Sequence, residues 1–135
     1  MITVDTNIYI SAFQYGRKPL DLLDLASAGV VRVSVSTQIL SEFARILRDS
    51  SGRSDAFVDD AVQRIRSFAV LVSPIHRVQV ITEDPDDDRI LECALSSGSH
   101  TIVTGDKDLI RRGEFSGIRI MRVSQYLDEI RARIH

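Results

Sequence analysis

"HTIVTGDKDLIRR", His100–Arg112, carries the fold in miniature. "HTIVTGD" reads as a strand and "KDLIRR" as a short helix, with Asp106 and Asp108 set where one gives way to the other. The beginning of the chain has the same form. "ITVDT" reads as a strand, and Asp5 stands directly behind its apolar run, where the alternation of an exposed strand would not place a charge. A charge at the end of a buried strand needs either a partner or a chemical task.

Between these two stretches, short apolar segments alternate with amphipathic ones. "PLDLLDLASAG" predicts a helix with Pro19 near its start and Gly29 as its stop. "VVRVSVS" alternates as a strand, and "STQILSEFARILRD" follows as a helix with apolar positions Ile39, Leu40, Phe43, Ile46 and Leu47. The loop "SSGRSD" leads into a second helix, "DAFVDDAVQRIRSFA", which with the first forms a helical arm beside the sheet. "VLV" and "VQVI" are brief strand candidates, and "DDRILECALSSG" a helix. After Arg112, "IRIMRV" predicts a strand, and Ser124 is the expected cap of a closing helix, "QYLDEIRARI". Strands separated by helices imply parallel pairing with right-handed crossovers. The expected fold is α/β, a three-layer α/β/α sandwich with a mainly parallel central sheet and a helical arm.

A chain of 135 residues suits a single domain spanning 1–135, large enough to bury one core without disulfides or structural metal. The lone Cys93 gives no disulfide framework, and no closely spaced Cys/His set suggests zinc. The longest clean apolar run, "FAVLV", is far short of a membrane span, and the N-terminus lacks the pattern of a signal peptide, so a reduced, cytoplasmic setting is expected. A net charge of −2 makes no global case for nucleic acid, and fifteen Arg against two Lys suits gripping phosphate and equally the ordinary surface of a protein from a GC-rich genome.

Sites in open parallel sheets form outside the carboxyl ends of the strands. Asp5, Asp106 and Asp108 fall there, and "EDPDDD" places its last acids in the first turn of a helix, where backbone N–H groups favour anions. On a wheel of about 100° per residue, Glu42 lies at the rim of the apolar face made by Ile39, Phe43 and Ile46. Each acid has an ordinary explanation. Asp5 suits an Asx-turn, Glu42 a surface pair with Arg45 or Arg48, Asp84 and Asp86 to Asp88 a helix start, and Asp106 and Asp108 a helix cap. Coincidence is a poor account of acids recurring at one end of the sheet from four separated segments. Two carboxylates about 4 Å apart repel by roughly 4 kcal/mol at an effective dielectric near 20, so a convergent cluster must protonate or hold a cation. His76, His100 and His135 have no ligand-like spacing, and an all-oxygen site selects Mg²⁺ or Mn²⁺.

"VDTN" at Val4–Asn7, "SEF" at Ser41–Phe43, "DPDDDRILECAL" at Asp84–Leu95 and "TIVTGDKDL" at Thr101–Leu109 together resemble the blocks of the PIN domain, in order and spacing over nearly the whole chain. The nearest resemblance is to members described as toxin components of toxin-antitoxin pairs, related to the VapC toxins. It implies an endoribonuclease dependent on Mg²⁺ or Mn²⁺, often a homodimer, silenced by a small antitoxin protein. Residue by residue, it makes Asp5 the first acid, Glu42 the second and Asp106 the acid of "TGD". Asp87, followed by Ile90 and Ala94, fits the third, with Asp88 as its alternative and Asp84 close enough to assist through water. Asp5, Asp87 and Asp106 would hold the metal, with Glu42 positioning or deprotonating the attacking water. Thr6, Asn7 and Thr104 would orient the carboxylates. Asp108 departs from the pattern, since some members pair an acid there with a phenylalanine and this chain has Leu109.

An acidic pocket repels RNA, so a basic rim is required, for which Arg45, Arg48, Arg53, Arg111 and Arg112 are candidates. Tyr9, Phe13 and Tyr15 could stack bases, with packing as the alternative, and Cys93 suits the core. Other classes fit less well. A haloacid-dehalogenase-like phosphatase wants a second acid two residues beyond Asp5, where Asn7 stands. Phosphate-binding glycine loops and a GxSxG elbow are absent from the sequence. A PIN nuclease of RNA processing outside toxin pairs, and a catalytically silent PIN module binding RNA or protein, remain the alternatives within the resemblance.

Overall fold

The computed structural model describes residues 1–74 and 85–134. The expected strand "VQVI", together with Asp84, His76 and His135, lies outside the described residues, as does the side chain of Asp86. The strands are β1 (Ile2–Val4), β2 (Val33–Ser36), β3 (Ala69–Val72), β4 (Thr101–Val103), β5 (Glu114–Phe115) and β6 (Ile118–Met121). The helices are α1 (Thr6–Tyr15), α2 (Arg17–Ser27), α3 (Thr37–Arg45), α4 (Asp55–Phe68), α5 (Pro85–Ser97), α6 (Lys107–Arg112) and α7 (Val123–Ile134), and α3 runs on into a π-helical turn, Ile46–Ser50. No helix among the described residues is long and apolar enough to cross a membrane.

The sheet has the order β3-β2-β1-β4-β6-β5, parallel throughout except for the last pair. Every residue of β1, β2 and β4 is buried, so the alternation visible in "VVRVSVS" is one of residue type between two covered faces and not of exposure. On one face stand Ile2, Val4, Val33 and Val35. The other carries Thr3 and Ser34, whose hydroxyls lie 2.8 Å apart, with Ser99 Oγ 2.9 Å from Thr3 and Cys93 Sγ 3.7 Å from Ser34. These small polar groups satisfy one another, which removes the desolvation cost of burying them and lets α5 pack directly on β1 and β2. The α/β/α architecture is therefore as the sequence predicts.

Several local features differ from expectation. The stretch Thr6–Tyr15 is helical although it is rich in β-branched and aromatic residues, because Asp5 caps it and Tyr9 and Phe13 pack on Phe43, with ring centroids 6.1 and 5.5 Å away. Those two aromatics therefore serve packing, while Tyr15 is 75% exposed. The short β5 was not anticipated. It joins β6 through Ser116 and Gly117, with φ of 50° and 80°, the backbone a two-residue hairpin turn requires. Helix α7 opens at Val123, one residue before Ser124, so Ser124 lies in its first turn and does not cap it.

Strand order fixes where a site can form. From β1 the chain moves outward to β2 and β3, then returns to β4 on the other side of β1. Neighbouring β1 and β4 thus feed connections in opposite directions, the arrangement that in open parallel sheets leaves a crevice beyond the carboxyl ends. Asp5 follows β1 there, and Thr104 to Asp106 follow β4.

Candidate active site

Asp5 stands at the corner where β1 becomes α1. Its backbone N–H donates to Val103 O at 2.9 Å, extending the β1–β4 ladder, and its carboxylate accepts the N–H of Asn7 at 3.4 Å. Oδ2 accepts a 2.6 Å hydrogen bond from the Thr104 hydroxyl, which itself accepts the Asp106 N–H at 3.0 Å. A single threonine therefore ties Asp5 to the backbone of Asp106. Asp5 is only 5% exposed. Burial pushes its carboxyl above the usual carboxylate range, hydrogen bonds from Thr104 and the backbone N–H groups of Asn7 and Thr6 pull the other way, and the charge of Asp106 adds to the rise.

Asp106 caps α6, with Oδ1 accepting from the N–H groups of Asp108 at 2.8 Å and Leu109 at 3.1 Å. It is half-buried. Glu42 projects from α3 toward α1, and its Oε2 accepts the Thr6 hydroxyl at 3.2 Å. Since Thr6 directly follows Asp5, this bond brings the α3 carboxylate to the same corner. Asp87 and Asp88 are both buried in the first turn of α5. The crevice thus gathers Asp5, Thr104 and Asp106 through hydrogen bonds and draws Glu42 in through Thr6.

Other expected residues fall differently. Asn7 supplies its backbone N–H while the residue is exposed. Asp108 is exposed and pairs with Arg111 at 3.6 Å. Arg48 pairs with Asp55 at 3.1 Å, and Arg53 donates to Gln14 Oε1 and lies over the Phe57 ring. Arg45 and Arg112 are exposed. One acid escaped the sequence reading: Glu92, one turn beyond Asp88, is buried and its carboxylate takes the guanidinium of Arg89. The available signal was an acid inside the apolar run "ILECAL".

The donors suit a hard divalent ion, since carboxylate and hydroxyl oxygens are the polar groups at the crevice. The mutual effect of Asp5 and Asp106 has the sign a cation would reverse. Among the described residues, no group of three or more His, Cys, Asp or Glu side chains is gathered closely enough to hold an ion. Asp5 and Asp106 form the linked pair, and Asp87 and Asp88 stand buried in the first turn of α5.

A profile of the PIN domain matches residues 1–108, a span containing each of these acids. No curated protein matches the chain. Four fifths of its length lies within that match, and the chain belongs to the PIN domain family, whose members are generally nucleases and typically use divalent metal ions.

Proposed function

We propose that the protein is a metal-dependent endoribonuclease and the toxin of a toxin-antitoxin pair. The observation that carries the nuclease reading is the Asp5–Thr104–Asp106 link at the strand-order reversal, with Glu42 brought alongside by Thr6. Asp5, Asp87 and Asp106 would hold one Mg²⁺ or Mn²⁺, with Asp88 the alternative to Asp87. When bound, such an ion neutralises phosphate charge and lowers the pKa of water.

The chain's own groups do the rest. Thr104 holds Asp5 Oδ2 by a short hydrogen bond, while Oδ1 accepts the longer bond from the Asn7 N–H. Glu42, steadied by the Thr6 hydroxyl, accepts a proton from the attacking water. The water oxygen bonds to phosphorus as the bond to the leaving sugar oxygen breaks, and that oxygen takes up a proton. Arg45, Arg111 and Arg112 would hold the flanking RNA. The toxin assignment rests on the likeness of the four sequence blocks, and with it come a small antitoxin, a homodimer and a cytoplasmic setting.

Purified protein should cleave single-stranded or structured RNA in Mg²⁺ or Mn²⁺ and stop in EDTA. Cleavage by Asp5→Asn at the parent rate would remove Asp5 from the site. A short reading frame beside the gene, encoding a protein that blocks cleavage, supports the toxin assignment; an isolated gene favours RNA processing.

A further inference from the structure

A groove of about 460 Å³ runs between α3 and α4. Thr37 and Arg48 both line it, so it follows α3 from its first residue into the π-helical turn, about 16 Å at 1.5 Å per residue. Thr37 directly follows the carboxyl end of β2, which places one mouth of the groove on the sheet edge where Asp5 and Asp106 stand.

The lining has a definite chemistry. Leu40 and Val62 provide an apolar floor, while Thr37, Ser41 and Gln63 offer hydrogen bonds along it. Arg48 and Arg66 line it with one carboxylate, Asp59, and the Asp55 that pairs with Arg48 is not among the lining residues. Arg66 is exposed and makes no ion pair with any described residue. Among the described residues Arg48 pairs with Asp55, whose side chain is 83% exposed, and so open a pair contributes little and is readily exchanged for a phosphate.

We propose that this groove is the track for single-stranded RNA, with Arg66 and Arg48 on successive stretches of the phosphate backbone and the sugars and bases lying over the apolar floor. The inference rests on the nuclease reading, which supplies the kind of strand that must reach the carboxyl edge. The lining also favours that occupant over a protein segment: two cations and three neutral polar groups converge on a slot with one acid. Arg66 thereby joins the RNA-binding set although it lies outside the basic residues singled out from the sequence.

The test is fluorescence anisotropy of a labelled oligouridylate in EDTA, where cleavage cannot interfere, alongside a separate RNA cleavage assay of the unmodified protein in Mn²⁺. Arg66→Glu should weaken binding about tenfold, and Arg66→Ala should lower the slope of log affinity against log salt by about 0.7, the value of one phosphate contact on a single strand. Asp59→Asn, which removes the groove's one carboxylate, should tighten binding. Equal binding by the parent and Arg66→Glu overturns the groove, and if the parent also cleaves RNA the nuclease reading survives it. Weakened binding by Arg66→Glu in a protein that does not cleave keeps the groove and sinks the nuclease. Unchanged RNA binding with an altered oligomeric state would mark the groove as a protein interface and overturn the proposal.

Discussion

The corners at Asp5 and Asp106 are built from the same parts and do different things. In each, a three-residue buried strand ends near an aspartate that caps the following helix. Asp106 gives one oxygen to two good backbone bonds, at 2.8 and 3.1 Å, and stays half-buried. Asp5 makes a longer 3.4 Å cap bond, receives its short bond from the hydroxyl of Thr104, just beyond β4, and is buried. The comparison teaches that local motif does not decide whether an aspartate is structural. What differs is the partners: Asp106 commits one oxygen to its own helix, whereas Asp5 divides its two oxygens between its helix and the hydroxyl of Thr104.

The largest effect separating the two corners is expected from Asp5→Asn. Cleavage should fall by roughly 10²-fold or more, as when a group that stabilises developing charge is removed, while the metal-free protein should be as stable or more stable. The raised pKa gives the sign. Between pH 3.8 and its folded value, the native Asp5 carboxyl keeps a proton that the unfolded chain has released. Its contribution to stability is complete below 3.8 and is lost as pH rises through the folded value. Denaturation in EDTA across that window should show a decline for the parent that Asp5→Asn flattens; parallel curves would mean that burial of Asp5 carries no charge penalty.

Next in size is the response to metal. At a free Mn²⁺ concentration about 100 times its Kd, binding to the native state alone adds about 2.7 kcal/mol. The parent should melt higher in Mn²⁺ by about 8–13 °C, taking roughly 3–5 °C per kcal/mol for a domain of this size. Asp5→Asn should lose most of that shift. A parent whose Tm is indifferent to Mn²⁺ would count against any metal role for the linked pair.

Thr104 is the joint between the corners, and Thr104→Val removes it with little change of shape. The loss leaves a buried carboxylate oxygen without its donor and should cost about 1–3 kcal/mol at neutral pH, with Thr104→Ser restoring most of it. Because the hydroxyl bond holds the Asp5 pKa down, its removal should raise that pKa further and move the stability decline of the first experiment to higher pH.

Much of this was legible in the sequence because parallel strands buried on both faces exclude charge, so an aspartate directly behind one is conspicuous. "KDLIRR" became α6 with its expected ends, since its Asp cap and closing Gly113 are local signals. Helix α1 was missed because "TNIYISAFQY" has strand-like side chains and becomes helical through contacts with Phe43, thirty residues on from Phe13. Glu92 was missed because an acid in an apolar register reads as surface until a packed helix and Arg89 enclose it. The arginine rim was only half readable. Charge is in the sequence, but partners are not, and Arg48, Arg53 and Arg111 all have them while Arg66 has none among the described residues.

The smallest expected effect isolates what Asp106 does as a cap. Asp106→Ala removes the acceptor for the Asp108 and Leu109 N–H groups and should destabilise the protein by about 1 kcal/mol. Asp106→Asn keeps an oxygen there, and asparagine caps about as well as aspartate, so its Tm should stay close to the parent's. Both should lose cleavage, because a carbonyl oxygen replaces a carboxylate in one and nothing replaces it in the other. Chemical denaturation of the pair, read beside their activities, separates the two duties of one side chain. If Ala and Asn prove equally stable, the two bonds from α6 contribute nothing, and Asp106 would be held in place as Asp5 is, by what surrounds the crevice and not by the helix it begins.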